Sequence, residues 1–100
     1  MAETKETIIS DIKNYIARCG GSYTEWYVGI TSDPRKRLFV EHMVDEKNDY
    51  WTHKEAFSSE SARIVEDYFV NTLKTKGDAG GGDDASKYVY AYKINNHTIE

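Results

Sequence analysis

From Tyr88 to Tyr92 tyrosine stands at every second position, with Val89 and Ala91 between. A period of two is the period of a β-strand, whose side chains point alternately to opposite faces. The pattern predicts a strand over Lys87–Ile94, with Tyr88, Tyr90, Tyr92 and Ile94 on one face. Val89, Ala91 and Lys93 fall on the other. A single strand cannot satisfy its own backbone, so the rest of the chain has to supply partners and cover.

Two further segments read as strands. Trp26-Tyr27-Val28-Gly29-Ile30-Thr31 is aromatic and β-branched, and alternation puts Tyr27, Gly29 and Thr31 on one face. Tyr50-Trp51-Thr52-His53-Lys54 is a shorter candidate. Three segments carry the helical period instead. Ile8, Ile12, Tyr15 and Ile16 make one stripe, which predicts a helix at about residues 5–18 ending before Gly20-Gly21. Asp33-Pro34 opens a helix over 33–43, since aspartate caps free N–H groups and proline suits the first turn. Ser58-Ser59-Glu60 opens another over 59–75, with Ala62, Val65, Phe69 and Leu73 as its stripe. Asp78-Ala79-Gly80-Gly81-Gly82-Asp83-Asp84 reads as a loop by composition. Its three aspartates lack the alternating spacing of calcium loops.

The order α-β-α-β-α-β within 100 residues predicts a single domain of α+β class: a small, mostly antiparallel three-stranded sheet with helices on one side. The 39% of apolar residues suits a globular chain, and no apolar run nears the ~20 residues of a membrane span. The first residues are polar and acidic rather than signal-like, and Cys19 has no second cysteine to pair with. The expected setting is therefore cytoplasmic. A net charge of −4 argues against a protein that coats nucleic acid by charge alone.

Three stretches combine into a more specific pattern: Tyr27-Val28-Gly29-Ile30-Thr31, Asp33-Pro34-Arg35-Lys36-Arg37-Leu38, and Ala62-Arg63-Ile64-Val65-Glu66. Together they resemble the GIY-YIG nuclease superfamily over about Trp26 to Leu73. The resemblance implies a metal-dependent endonuclease that cleaves DNA phosphodiester bonds, with magnesium as the expected ion. In the family an arginine follows the Tyr-x-Gly tyrosine on the next helix, and Arg37 lies ten positions after Tyr27. A glutamate on a later helix binds the metal, which selects Glu66. The implied catalytic set is thus Tyr27, Arg37 and Glu66, with Glu66 as metal ligand. Tyr27 would orient or deprotonate water, and Arg37 would neutralise the phosphate. Gly29 would leave room for substrate, and Arg35, Lys36 and Lys54 would form a basic footprint for DNA.

The chain departs from the family in two places. The Gly-Ile-Tyr strand expected upstream of Tyr27 has no counterpart, and an amphipathic helix stands there. The 87–94 strand is a candidate to fill its place in the sheet, with one of its tyrosines standing in. The family's histidine or tyrosine four residues after the arginine is replaced by Glu41. His42 is five away, which on an α-helix turns it ~140° from Arg37.

Each residue also has a plainer role. Arg37 has Glu41 at i+4 for an ion pair, Glu66 suits a partly buried ion pair, and a tyrosine ladder suits sheet packing. The alternative function is accordingly a catalytically inactive module of the same fold, binding nucleic acid or a protein partner.

Overall fold

Ile8, Ile12 and Ile16 are all buried, and they anchor α1 (Lys5–Cys19) to the rest of the chain. Each contributes on the order of 1.5–3 kcal/mol by leaving water, which holds a helix that would be marginal alone. Thr4 caps its start by accepting from the Thr7 N–H, and Gly20 ends it at a positive φ of 93°. The computed structural model describes residues 2–77 and 85–100; the loop reading for 78–84 lies outside the described residues.

The strands are β1 (Trp26–Thr31), β2 (Trp51–Glu55) and β3 (Tyr88–Lys93). They form one three-stranded sheet in the order β1-β3-β2, both pairings antiparallel. The most regularly alternating segment of the sequence is therefore the central strand. Its register sets Tyr90 opposite Gly29 of β1 and His53 of β2, and Tyr92 opposite Tyr27 and Trp51. Outside the sheet proper, Glu3 bridges to Ala56, and the chain at Lys76 runs along the outer edge of β1.

Helices cover both faces of the sheet, not one. On the first face, α1 and α2 (Ser59–Asp67) pack over Trp26, Val28, Ile30, Val89 and Ala91 to make the larger core. On the second, Leu38 and Val44 close over Tyr27, Tyr90 and Tyr92. The sequence reading gave this second face no cover of its own. It needs one because three aromatic rings project from it, and the segment after β1 is long enough to fold back over them.

Two helices differ from the α geometry expected. After Pro34 the chain forms a π-helix over Lys36–Glu41, its start capped by Asp33 accepting from the Lys36 N–H at 3.1 Å. The helix expected over 59–75 is α-helical only to Asp67 and continues as a π-helix over Tyr68–Thr72. Each π segment ends on a residue other than glycine at positive φ: Met43 at 60° and Lys74 at 70°. Beyond each, a backbone N–H reaches back six residues, Val44 to Leu38 and Thr75 to Phe69. Among the described residues no helix is long and apolar enough to cross a membrane.

Candidate active site

Gly29 is the reason Tyr90 can lie where it does. A Cβ at Gly29 would stand 2.6 Å from the Tyr90 hydroxyl and 2.7 Å from its ring carbon Cζ. The space opened by this glycine is thus filled by the Tyr90 ring, an intramolecular use of the room expected for substrate.

The Tyr90 hydroxyl is the centre of a polar cluster. It lies 2.8 Å from His42 Nε2, and Arg37 Nη2 donates to it at 3.3 Å. His42 Nδ1 lies 2.6 Å from the Ile99 carbonyl, which can only accept, so Nδ1 carries the proton. In the neutral ring Nε2 is then the acceptor, and Tyr90 donates to it. Burial lowers the His42 pKa, in keeping with a neutral ring. Tyr92 joins through its hydroxyl, 3.0 Å from His42 Nδ1. The Tyr27 ring lies 4.7 Å from the imidazole and stacks at 5.3 Å on Tyr92.

His42 reaches this cluster because of the π-helix. Its N–H donates to the Arg37 carbonyl at 2.9 Å, an i to i+5 bond. One residue is added to the turn, and position five returns to the side of Arg37. The ~140° separation expected on an α-helix is removed. A pattern read at 100° per residue could not find this; the only available signal was a histidine one place beyond the family's position.

Glu66 belongs to the same neighbourhood. It is 2% exposed, and its charge adds to the forces that raise the Tyr90 pKa. Burial is the largest of those, the Tyr27 phenol is the second, and Arg37 opposes them. The Tyr92 hydroxyl is also pushed up, by burial first and then by Tyr27 and Tyr90. Both phenols are therefore neutral donors at any ordinary pH. The structure thus brings Arg37 of the π-helix and the Tyr27 ring of β1 to Tyr90, while Glu66 of α2 is buried close enough for its charge to act on Tyr90.

The proposed footprint is less compact. Lys36 is exposed, and Arg35 is held by both carboxylate oxygens of Glu46 at 2.8 Å. Lys54 projects from the opposite face of the sheet, 3.4 Å from Asp11 and 4.0 Å from Glu3. Alternation along β2 enforces this, since Trp51 and His53 take the face of Tyr90.

Tyr90, His42 and Glu66 are buried, so Arg37 is the member that meets solvent, with its side chain 38% exposed. Its Nη1 is bonded to Glu41 at 2.5 Å, while its Nε–H is buried and has no hydrogen-bond acceptor among the described residues. A carboxylate thus occupies the outward side of a guanidinium anchored from behind by a phenol. Chemically this is an anion site with an internal anion in it. Among the described residues no group of three or more His, Cys, Asp or Glu could hold a metal. Magnesium is commonly held by one or two carboxylates together with substrate phosphate and water; Glu66, the carboxylate expected in that role, is 2% exposed.

No family model matches the chain, and neither a curated protein nor a solved structure does.

Proposed function

We propose that this chain is a GIY-YIG-like endonuclease that cleaves DNA phosphodiester bonds with a divalent ion, magnesium in the first instance. The observation that carries the reading is that Arg37 and His42 meet at the Tyr90 hydroxyl, with the Tyr27 ring stacked beside it. Tyr90 lies on the central strand and supplies the tyrosine that the missing Gly-Ile-Tyr strand would have brought. The C-terminal strand would then do the structural work of an N-terminal one, because a sheet position depends on register and not on chain order.

Arg37 binds the scissile phosphate once Glu41 has been displaced, and its charge offsets the charge that builds up on phosphorus oxygens. Tyr90 and His42 are positioning residues: they hold the guanidinium from behind and stay neutral as they do so. Tyr27, the tyrosine selected by the resemblance, orients the attacking water in this reading. A magnesium ion, when bound, would polarise the phosphate, with Glu66 as its protein ligand.

A second reading, an inactive module that binds nucleic acid or protein, is favoured by one observation. Arg35 and Arg37 are both already paired with carboxylates, Glu46 and Glu41. Nicking of supercoiled plasmid, with magnesium and with EDTA, separates the two. The nuclease reading expects magnesium-dependent nicking that Arg37→Ala abolishes. A wild-type protein that binds DNA in low salt but never nicks it overturns that reading in favour of the module.

A further inference from the structure

Residues 95–100 turn away from the sheet and lie across the candidate site. Ile94 still belongs to the sheet: its N–H donates to the Glu25 carbonyl at 2.8 Å, and its side chain packs against the tyrosine cluster. Beyond it the Asn95 N–H donates to the Thr98 hydroxyl at 3.0 Å and the His97 N–H to Asn95 Oδ1 at 3.1 Å, which closes a turn. The segment is then pinned at two places on the connection that follows the π-helix. At His42, the Ile99 N–H donates to the backbone carbonyl at 2.8 Å. The Ile99 carbonyl in turn accepts from His42 Nδ1 at 2.6 Å and from the Tyr92 hydroxyl at 3.3 Å. At Asp49, one carboxylate oxygen accepts from Asn95 Nδ2 at 2.9 Å and the other from His97 Nε2 at 2.6 Å.

The groups under this segment are more buried than the segment itself. His42 is 4% exposed and Tyr92 is wholly buried, whereas none of residues 95–100 is buried and Ile99 is 58% exposed. Surface hydrogen bonds therefore hold the segment with little apolar burial, and segments of that kind open locally at free energies well below that of global unfolding. The Ile99 carbonyl also sets a direction. It keeps the proton on His42 Nδ1, so Tyr90 donates to Nε2 and leaves its oxygen lone pairs for Arg37. Donation thus runs one way, from the guanidinium through Tyr90 and His42 to Ile99. With the carbonyl withdrawn the imidazole can take its other tautomer, and Nε2–H then competes with Arg37 for the Tyr90 oxygen.

We propose that residues 95–100 are a latched strap that lifts as one unit about Asn95, uncovering His42 and Tyr92 while the sheet stays folded. Asp49 is the latch. Lifting uncovers the imidazole whether or not the site cuts DNA.

Hydrogen exchange of the full chain, followed by NMR without DNA or metal, tests the strap. Three protons are compared, each against its intrinsic rate: the Ile99 N–H, the His42 Nδ1–H, and the Ala91 N–H at the centre of the sheet. Ile99 and His42 are expected to share one protection, about ten-fold or more below that of Ala91. His97→Ala, a change at a side chain that is 52% exposed, should speed both about ten-fold and leave Ala91 unchanged. Asn95→Ala, which removes the other bond to Asp49, should act in the same sense. A His42 proton as well protected as Ala91 overturns the strap, since its cover then leaves only when the whole chain unfolds. Faster exchange at Ile99 without His42 also overturns it, because the segment then frays residue by residue. Plasmid nicking is measured separately, so a fixed strap in a protein that nicks removes the strap alone, and a lifting strap in a protein that never nicks removes the nuclease alone.

Discussion

Arg37 and His42 are five residues apart and meet at one atom, the Tyr90 hydroxyl, at 3.3 and 2.8 Å. The backbone bond from the His42 N–H to the Arg37 carbonyl makes this possible, because a π turn stacks position five over position zero.

Replacing Glu66 by Gln keeps the size of the side chain and removes its charge. With Glu66 as the ligand of a catalytic ion, nicking should fall about a hundred-fold or more, since each ~1.4 kcal/mol of barrier is a factor of ten. The melting temperature should change little or rise. A large drop in melting temperature, in a protein that never nicked, assigns Glu66 to structure instead.

Glu41 occupies the outward side of Arg37 and competes with any incoming phosphate. Glu41→Gln should therefore tighten binding to a DNA duplex, measured by fluorescence anisotropy at low salt, and raise the nicking rate. The affinity should also depend more steeply on salt, because one more phosphate contact forms per complex. Unchanged affinity and slope would place the phosphate elsewhere.

Gly29→Ala puts a methyl group against the hydroxyl and ring of Tyr90, where the nearest atoms would be 2.6–2.9 Å away. A rigid buried ring cannot give by that much without leaving its place. We expect a loss of about 1–3 kcal/mol in denaturant unfolding, together with loss of nicking. A variant as stable as the wild type would mean that the ring has another resting place.

His42 gives the fold a pH dependence of definite sign. Unfolded, its imidazole titrates near its ordinary value of ~6.5; folded, burial holds it lower. Between those two values the unfolded chain binds more protons, so stability is full above pH ~6.5 and falls as the solution is acidified. The slope attributable to this one group is at most ~1.4 kcal/mol per pH unit. His53 is shifted in the same direction and adds to it. Chemical denaturation of wild type and His42→Gln between pH 5 and 7.5 should show the shallower slope in the variant. Equal slopes would exonerate His42.

Lys74 is exposed and sits at a φ of 70°, a conformation that costs a residue with a Cβ about 1–2 kcal/mol. Lys74→Gly relieves that strain at the end of the second π-helix, against some added entropy in the unfolded chain. A net gain of about 0.5–1 kcal/mol is expected, a rise of several degrees in melting temperature. No rise, or a fall, would show that Lys74 makes a contact worth more than the strain.

The sequence by itself determined the elements and the sides they bury. Period-two alternation over Tyr88–Tyr92 and period 3.6 over Ile8, Ile12 and Ile16 are local signals, read from neighbours along the chain. They sufficed for the α+β class and for three strands, whereas Tyr27, Arg37 and Glu66 were singled out only by the resemblance to the GIY-YIG superfamily. Only the tertiary structure decided which strand lies in the centre and that helices cover both faces. It alone decided that Tyr90, drawn from the far end of the chain, completes the cluster, since register is set by packing across the sheet. The π winding of Lys36–Glu41 has the same origin. Nothing in Lys-Arg-Leu-Phe-Val-Glu prefers it over α; with this winding Leu38 and Val44 both close over the tyrosines while Arg37 and His42 reach one hydroxyl.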